Sequence, residues 1–75
     1  SMPEAVWECL VEKNMVSDFM EKYKISNMKS EMNQVMLRII SYEKPVENAM
    51  RSEATLEDVF LYYFGEKAGD SNVAF

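Results

Sequence analysis

"QVMLRIIS", Gln34 to Ser41, decides the architecture of this chain. On a pleated strand Val35, Leu37 and Ile39 fall on one face and Met36, Arg38 and Ile40 on the other. The run is rich in β-branched residues and only Arg38 interrupts its apolar character, so it reads as a well-covered strand. Such a strand needs partners on either side, and the flanking sequence supplies candidates.

Upstream, "AVWECLVEK" sets Trp7, Cys9 and Val11 against Glu8, Leu10 and Glu12, a period of two that predicts a first strand. The period then changes. Val16, Phe19, Met20 and Tyr23 recur at i, i+3, i+4 and i+7, an apolar arc of roughly 100° that predicts a helix with one side in the core. Asn14 is placed to cap it. Weaker alternation from Ile25 to Ser30 predicts a second strand, and Glu31 to Gln34 is polar enough to turn, although no Asn-Gly or Asp-Gly pair marks a tight hairpin.

Downstream, Pro45 closes the strand region. "VENAMRSEA" has no clear period and holds either a short edge strand at Ala49 to Ser52 or a loop. "EATLEDVFLYYFGE", Glu53 to Glu66, then opens as a helix. Thr55 and Asp58 fit the [ST]-x-x-[DE] start, Glu57 and Asp58 lie near the positive helix end, and Gly65 is placed to stop it. On a wheel Val59, Tyr63, Leu56, Phe60 and Phe64 form one arc of roughly 140°, expected to face the core. Leu61 and Tyr62 fall outside that arc. Either they dock on another protein, or they are covered by the tail residues Val73 to Phe75.

The element order therefore predicts a small α+β fold. It is loosely ferredoxin-like, β-α-β-β-(β)-α, with two helices on one face of the sheet. The 75 residues make one domain with a thin stability margin. Ser1 precedes Met2 and reads as a cloning remnant, Met2 as a start or further tag, residues 3–68 as the domain and 69–75 as a flexible tail.

Composition narrows the function. Thirteen acidic residues against eight basic give a net charge of -5, which repels nucleic acid and anionic lipid. No apolar run approaches the roughly 20 residues of a membrane span. The lone Cys9 excludes an internal disulfide and suits the cytoplasm. Without histidine it has no obvious activating base, so it is expected to be a small buried apolar residue. Adjacent Glu57 and Asp58 point about 100° apart on a helix and cannot share a substrate proton. No spacing fits calcium or zinc. Seven methionines are expected to fill the small core, the alternative being an adaptable Met-rich groove. Arg38 either reaches along the sheet to water or contacts an acidic partner.

The segments "VWECLVEK", "VMLRIISYEKPVENA" and "ATLEDVFLYYFGE" together resemble the carboxy-terminal accessory domain that follows the ATPase core in bacterial ABC transporter ATP-binding subunits. The likeness runs from Val6 to Glu66. Its specific part is Leu56-Glu57-Asp58-Val59-Phe60-Leu61, continued by Tyr62-Tyr63-Phe64-Gly65. The resemblance implies a module that packs against the ATPase core or dimer mate; Leu61 and Tyr62, left over from the helical arc, and Arg38, set in an apolar strand, are the residues expected at such a contact. The complex would be cytoplasmic, at the membrane periphery, and linked indirectly to a membrane-spanning permease. It also implies that ATP and Mg belong to the intact subunit. This chain has no G-x-x-x-x-G-K-[ST] loop to cradle phosphates, so it is expected to be non-catalytic and without a cofactor of its own. A stand-alone interaction or dimerisation module is the alternative.

Overall fold

The computed structural model describes the backbone of residues 2–74 and the side chains of residues 2–65. A first strand, β1 (Ala5–Glu12), leads through a 3-10 turn (Lys13–Met15) into a short helix, α1 (Val16–Lys22). Strands β2 (Lys24–Glu31), β3 (Gln34–Ser41) and β4 (Met50–Ser52) follow, and the chain closes with α2 (Leu56–Ala74). The four strands form one antiparallel sheet in the order β2-β3-β1-β4. The architecture is thus α+β. β1 and β2 are joined by α1 and separated by the antiparallel β3, a split β-α-β unit.

Register fixes which side chains share a face. Cys9 lies opposite Leu37, Trp7 opposite Ile39 and Val11 opposite Val35. Cys9, Val11, Val35, Leu37 and Ile39, with Ala49, make the apolar core, and Trp7, the α1 residues Val16 and Phe19, and Tyr23 just after that helix pack against it. Cys9 is fully buried there, and burial pushes its thiol pKa up, so it stays protonated as a packing residue. The alternate row, Glu8 opposite Arg38 and Val6 opposite Ile40, points to the other face, where α2 lies.

The two helices therefore occupy opposite faces, not the single face expected. The reason is the β3–β4 connection. Val46 and Ala49 from this irregular segment join the core beside α1, and the Tyr23 hydroxyl donates to the Pro45 carbonyl at 3.4 Å. With that position filled, the helix that follows β4 meets the remaining face.

Three local expectations also change. Asn14 does not cap α1, whose preceding residue is Met15 and which has no side-chain cap. α2 continues through Gly65 to Ala74, so the helix does not stop at Gly65. Cover of Leu61 and Tyr62 by the side chains of Val73 to Phe75 lies outside the described residues. The methionines are not core fillers either: none is in the buried class, and Met15, Met20, Met28, Met32 and Met50 are exposed. The β-branched and leucine side chains of β1 and β3 fill the narrow core, leaving the flexible thioethers at its margins.

The β2–β3 hairpin turns on two residues, Met32 and Asn33, between the paired Glu31 and Gln34. Met32 has φ 58°, the only positive value among the described residues, and is 92% exposed. A positive φ at the first central position alone is the pattern of a type II′ turn, where glycine is the natural occupant. The Met32 side chain packs on little that could offset the strain. Met32→Gly is expected to raise stability by about 1 kcal/mol in urea denaturation. A loss of stability would show that the side chain matters more than the backbone strain.

Candidate docking face

The centre of the α2-facing side of the sheet is polar, and it determines how the helix sits. Arg38 projects from β3 between Leu37 and Ile39, away from the apolar core. Its guanidinium is fully engaged. Nε donates to Asp58 Oδ1 and Oδ2 at 3.0 and 3.1 Å, and Nη2 donates to Asp58 Oδ2 at 2.7 Å and to the Glu53 carbonyl at 2.7 Å. Nη1 donates to Glu8 Oε2 at 2.8 Å and to Ser52 Oγ at 3.0 Å. These hydrogen bonds, first those to Asp58, hold the guanidinium pKa above its usual value against the opposing effect of burial.

Asp58, with only 1% of its surface exposed, is the other half of the clamp. It caps α2 reciprocally with Thr55: Asp58 N–H donates to Thr55 Oγ1 at 3.2 Å, and Thr55 N–H donates to Asp58 Oδ2 at 2.7 Å. The Thr55 hydroxyl also donates to Oδ2 at 3.0 Å. Ser26 Oγ donates to Oδ1 at 2.5 Å. Ser26 reaches this position because the β2 register shifts between Ile25 and Asn27, and such an extra residue re-aims the side chain it carries. Burial by itself would raise the Asp58 pKa, but the hydrogen bonds from Arg38, Ser26 and Thr55 outweigh it and hold the carboxyl far below the ordinary carboxylate range. No buried side-chain polar atom among the described residues lacks a partner. One cluster thus ties all four strands to the start of α2.

This clamp inverts the expected orientation of α2. With Asp58 directed at the sheet, Leu61, Tyr62 and Gly65 share the inner side of the helix, and Leu61 and Tyr62 are half-buried. Leu61 and Gly65 line a recess with Met20 and Ile25. Lys24 Nζ donates to the Tyr62 carbonyl at 3.2 Å and lies 4.9 Å from its ring centre. Burial, then Glu4, pushes the Tyr62 phenol pKa up. Leu61 and Tyr62 are therefore seated on this chain and are not its free surface. Arg38, the third residue expected at an interface, is turned inward in the clamp.

The arc expected in the core is the one left outside. Leu56 is 86% exposed, Phe60 55%, and Tyr63 and Phe64 53% each. The rings of Phe60 and Phe64 lie 5.2 Å apart along one stripe, and Tyr63 meets Tyr62 edge-on at 4.9 Å. Together these side chains leave the outer side of α2 largely apolar and exposed. Only Val59 at the margin of the arc is partly covered, lining a recess with Val6 and Ser52.

From Arg38, α2 runs toward the Lys24 end of the sheet, leaving the next cross-strand row open. In that row Lys29 lies opposite Met36 and Met36 opposite Leu10. Met36 and Leu10 are partly exposed, and Met50, beside Glu8 on β4, is exposed. The members of the clamp missed in the sequence are Ser26, Glu8 and Ser52. The Arg38 position between two apolar neighbours on its own face, Met36 and Ile40, was the available sign that a carboxylate must meet it.

Among the described residues no cluster of three His, Cys, Asp or Glu side chains could hold a metal, and no helix is long and apolar enough to cross a membrane. Comparison of the chain with protein-family models, with curated proteins and with solved structures gives no match.

Proposed function

We propose that this chain is a non-catalytic interaction module, of the kind that follows the ATPase core in an ABC transporter ATP-binding subunit. It would lie against the core or the dimer mate and help set the geometry through which ATP turnover reaches the membrane partner. In this reading ATP and Mg stay with the core, and the complex works on the cytoplasmic side of the membrane.

The observation that supports the reading is the outward stripe of Leu56, Phe60 and Phe64 on a helix whose other side is pinned to the sheet. The clamp keeps the helix from rolling to hide these side chains, so their natural cover is another protein. Changing Leu56, Phe60 and Phe64 together to serine in the intact subunit is expected to impair dimerisation or transport while leaving the domain folded. Unchanged dimerisation, ATPase rate and transport would remove the basis for docking through α2.

The alternative is a stand-alone interaction module using the same face. It is favoured by the self-contained core and the completed polar cluster, which need no other chain. The reading frame upstream of Met2 separates the two: a phosphate-cradling loop encoded there supports the accessory-domain reading.

A further inference from the structure

We propose that the outer edge of β2 is where two copies of this chain join, their β2 strands paired antiparallel about a two-fold axis at Met28 to make one continuous sheet. This surface is separate from the α2 stripe and does not depend on the docking role argued above. β2 closes one side of the sheet, so its outer edge meets no other strand of the described residues. It is eight residues long, against three for β4 at the opposite edge. From Asn27 to Asn33 every residue is exposed.

The register shift makes β2 complementary to itself. Pairing with β3 puts Ile25, Met28 and Ser30 on the α1 face, opposite Ile39, Leu37 and Val35, and puts Lys24, Asn27, Lys29 and Glu31 on the α2 face. In a regular strand Lys24 and Glu31, an odd number of residues apart, would point to opposite faces. The extra residue between Ile25 and Asn27 brings them to the same one. With Met28 opposite Met28 of the second copy, Asn27 meets Lys29, Ile25 meets Ser30 and Lys24 meets Glu31, each pair on a shared face and each made twice by symmetry. Both ends of the pairing are then closed by opposite charges. Lys24 can serve there because the Tyr62 carbonyl takes only one of its ammonium donors. A slip that centred the pairing on Lys29 would set two like charges opposite each other.

The hairpin tip supports the same pairing. Met32 holds φ 58° where glycine is the natural occupant, is 92% exposed and packs on little of its own chain. A contact outside the chain accounts for a side chain kept at a strained position. Beyond the Glu31–Lys24 pair, the tip of the second copy arrives beside Tyr23, at the recess lined by Met20, Tyr23, Ile25 and Leu61. α1 and α2 lie on opposite faces, so a recess lined by both and by the start of β2 opens at the outer corner of that strand. Met32 of each copy enters the recess of the other.

Sedimentation equilibrium from micromolar to millimolar chain tests the pairing. The mass is expected to rise toward that of a dimer, with amide shifts changing at residues 24–33. In a mixture of isotope-labelled and unlabelled chain, the Met32 methyl should show contacts to the Leu61 methyls. Glu31→Lys should weaken association about tenfold or more, and adding Lys24→Glu to it should restore most of the loss. Met32→Gly should stabilise the dilute monomer, as argued above, yet weaken the dimer about tenfold. Phe60→Ser with Phe64→Ser should leave association unchanged. A monomer throughout that range, association untouched by Glu31→Lys, or association lost with the α2 serine changes would each overturn the proposal.

Discussion

Replacing Arg38 with methionine is expected to destabilise the chain by about 3–5 kcal/mol, because it leaves the Asp58 carboxylate buried without its counter-ion. That is a large share of the roughly 5–10 kcal/mol that holds a domain of this size together. The neighbouring groups cannot take over. Ser26 and Thr55 supply neutral hydrogen bonds to Asp58, and Lys24 is occupied at Tyr62. Methionine keeps much of the length and apolar stem of arginine, so the loss reports the charge and not a cavity. The double change Arg38→Met with Asp58→Leu should recover most of the stability, since exchanging a whole buried pair for apolar residues is often close to neutral. Urea denaturation of the parent, the single variants and the double variant measures the coupling. A coupling below about 0.5 kcal/mol would mean that the pair adds little, as surface ion pairs generally do.

Acid should act on the same clamp. In the folded chain the Asp58 pKa lies below its ordinary value near 3.8, because the charged form accepts hydrogen bonds from Arg38, Ser26 and Thr55 despite burial. The unfolded chain therefore takes up this proton first as pH falls. The stabilisation is complete above the unfolded value and is lost progressively as pH drops below about 4, toward the folded value. The loss from this group should amount to about 2–3 kcal/mol, the usual scale for a carboxylate held well below its free pKa. Asp58→Asn should be less stable than the parent at neutral pH, with the difference shrinking in acid. The check is thermal or urea unfolding of both proteins across acidic pH. A constant difference over that range would mean that Asp58 titrates alike in the folded and unfolded chains.

Period carried much of the architecture. Alternation placed β1 and β3 because each buries one complete apolar row, Trp7-Cys9-Val11 against Ile39-Leu37-Val35. The helical spacing of Val16, Phe19 and Tyr23 likewise placed α1 on the core, while Met20 at the edge of that arc stayed exposed. The α+β class and the order of elements followed. The face taken by each helix did not, because strand and helix periods say nothing about which connection will fill the space beside α1. Here Val46 and Ala49 do so from a segment without regular period.

The orientation of α2 failed for a different reason. Hydrophobic arcs assume that a helix meets an apolar surface, but this one meets Arg38. Asp58 was legible as an N-terminal cap and invisible as an anchor, since one carboxylate does both, its Oδ2 accepting from the Thr55 cap and from Arg38 alike. Ser26 had no signal at all, because the register shift that aims it is a tertiary feature of the β2–β3 pair. The apolar surplus of α2 does not lie where the wheel put it. Its members were exchanged: Leu61 and Tyr62 are seated on the domain, and Leu56, Phe60 and Phe64 form the surface.

The central claim is that a buried ion pair, and not apolar contact, sets which side of α2 faces the sheet. A soluble paramagnetic agent added to the isotope-labelled chain reads this directly, since side-chain resonances relax according to their distance from solvent. Strong relaxation at Leu56, Phe60 and Phe64, with weak relaxation at the Leu61 methyls and at Ile40, is the expected result. Protected Phe60 and Phe64 rings with a strongly relaxed Leu61 would contradict the account.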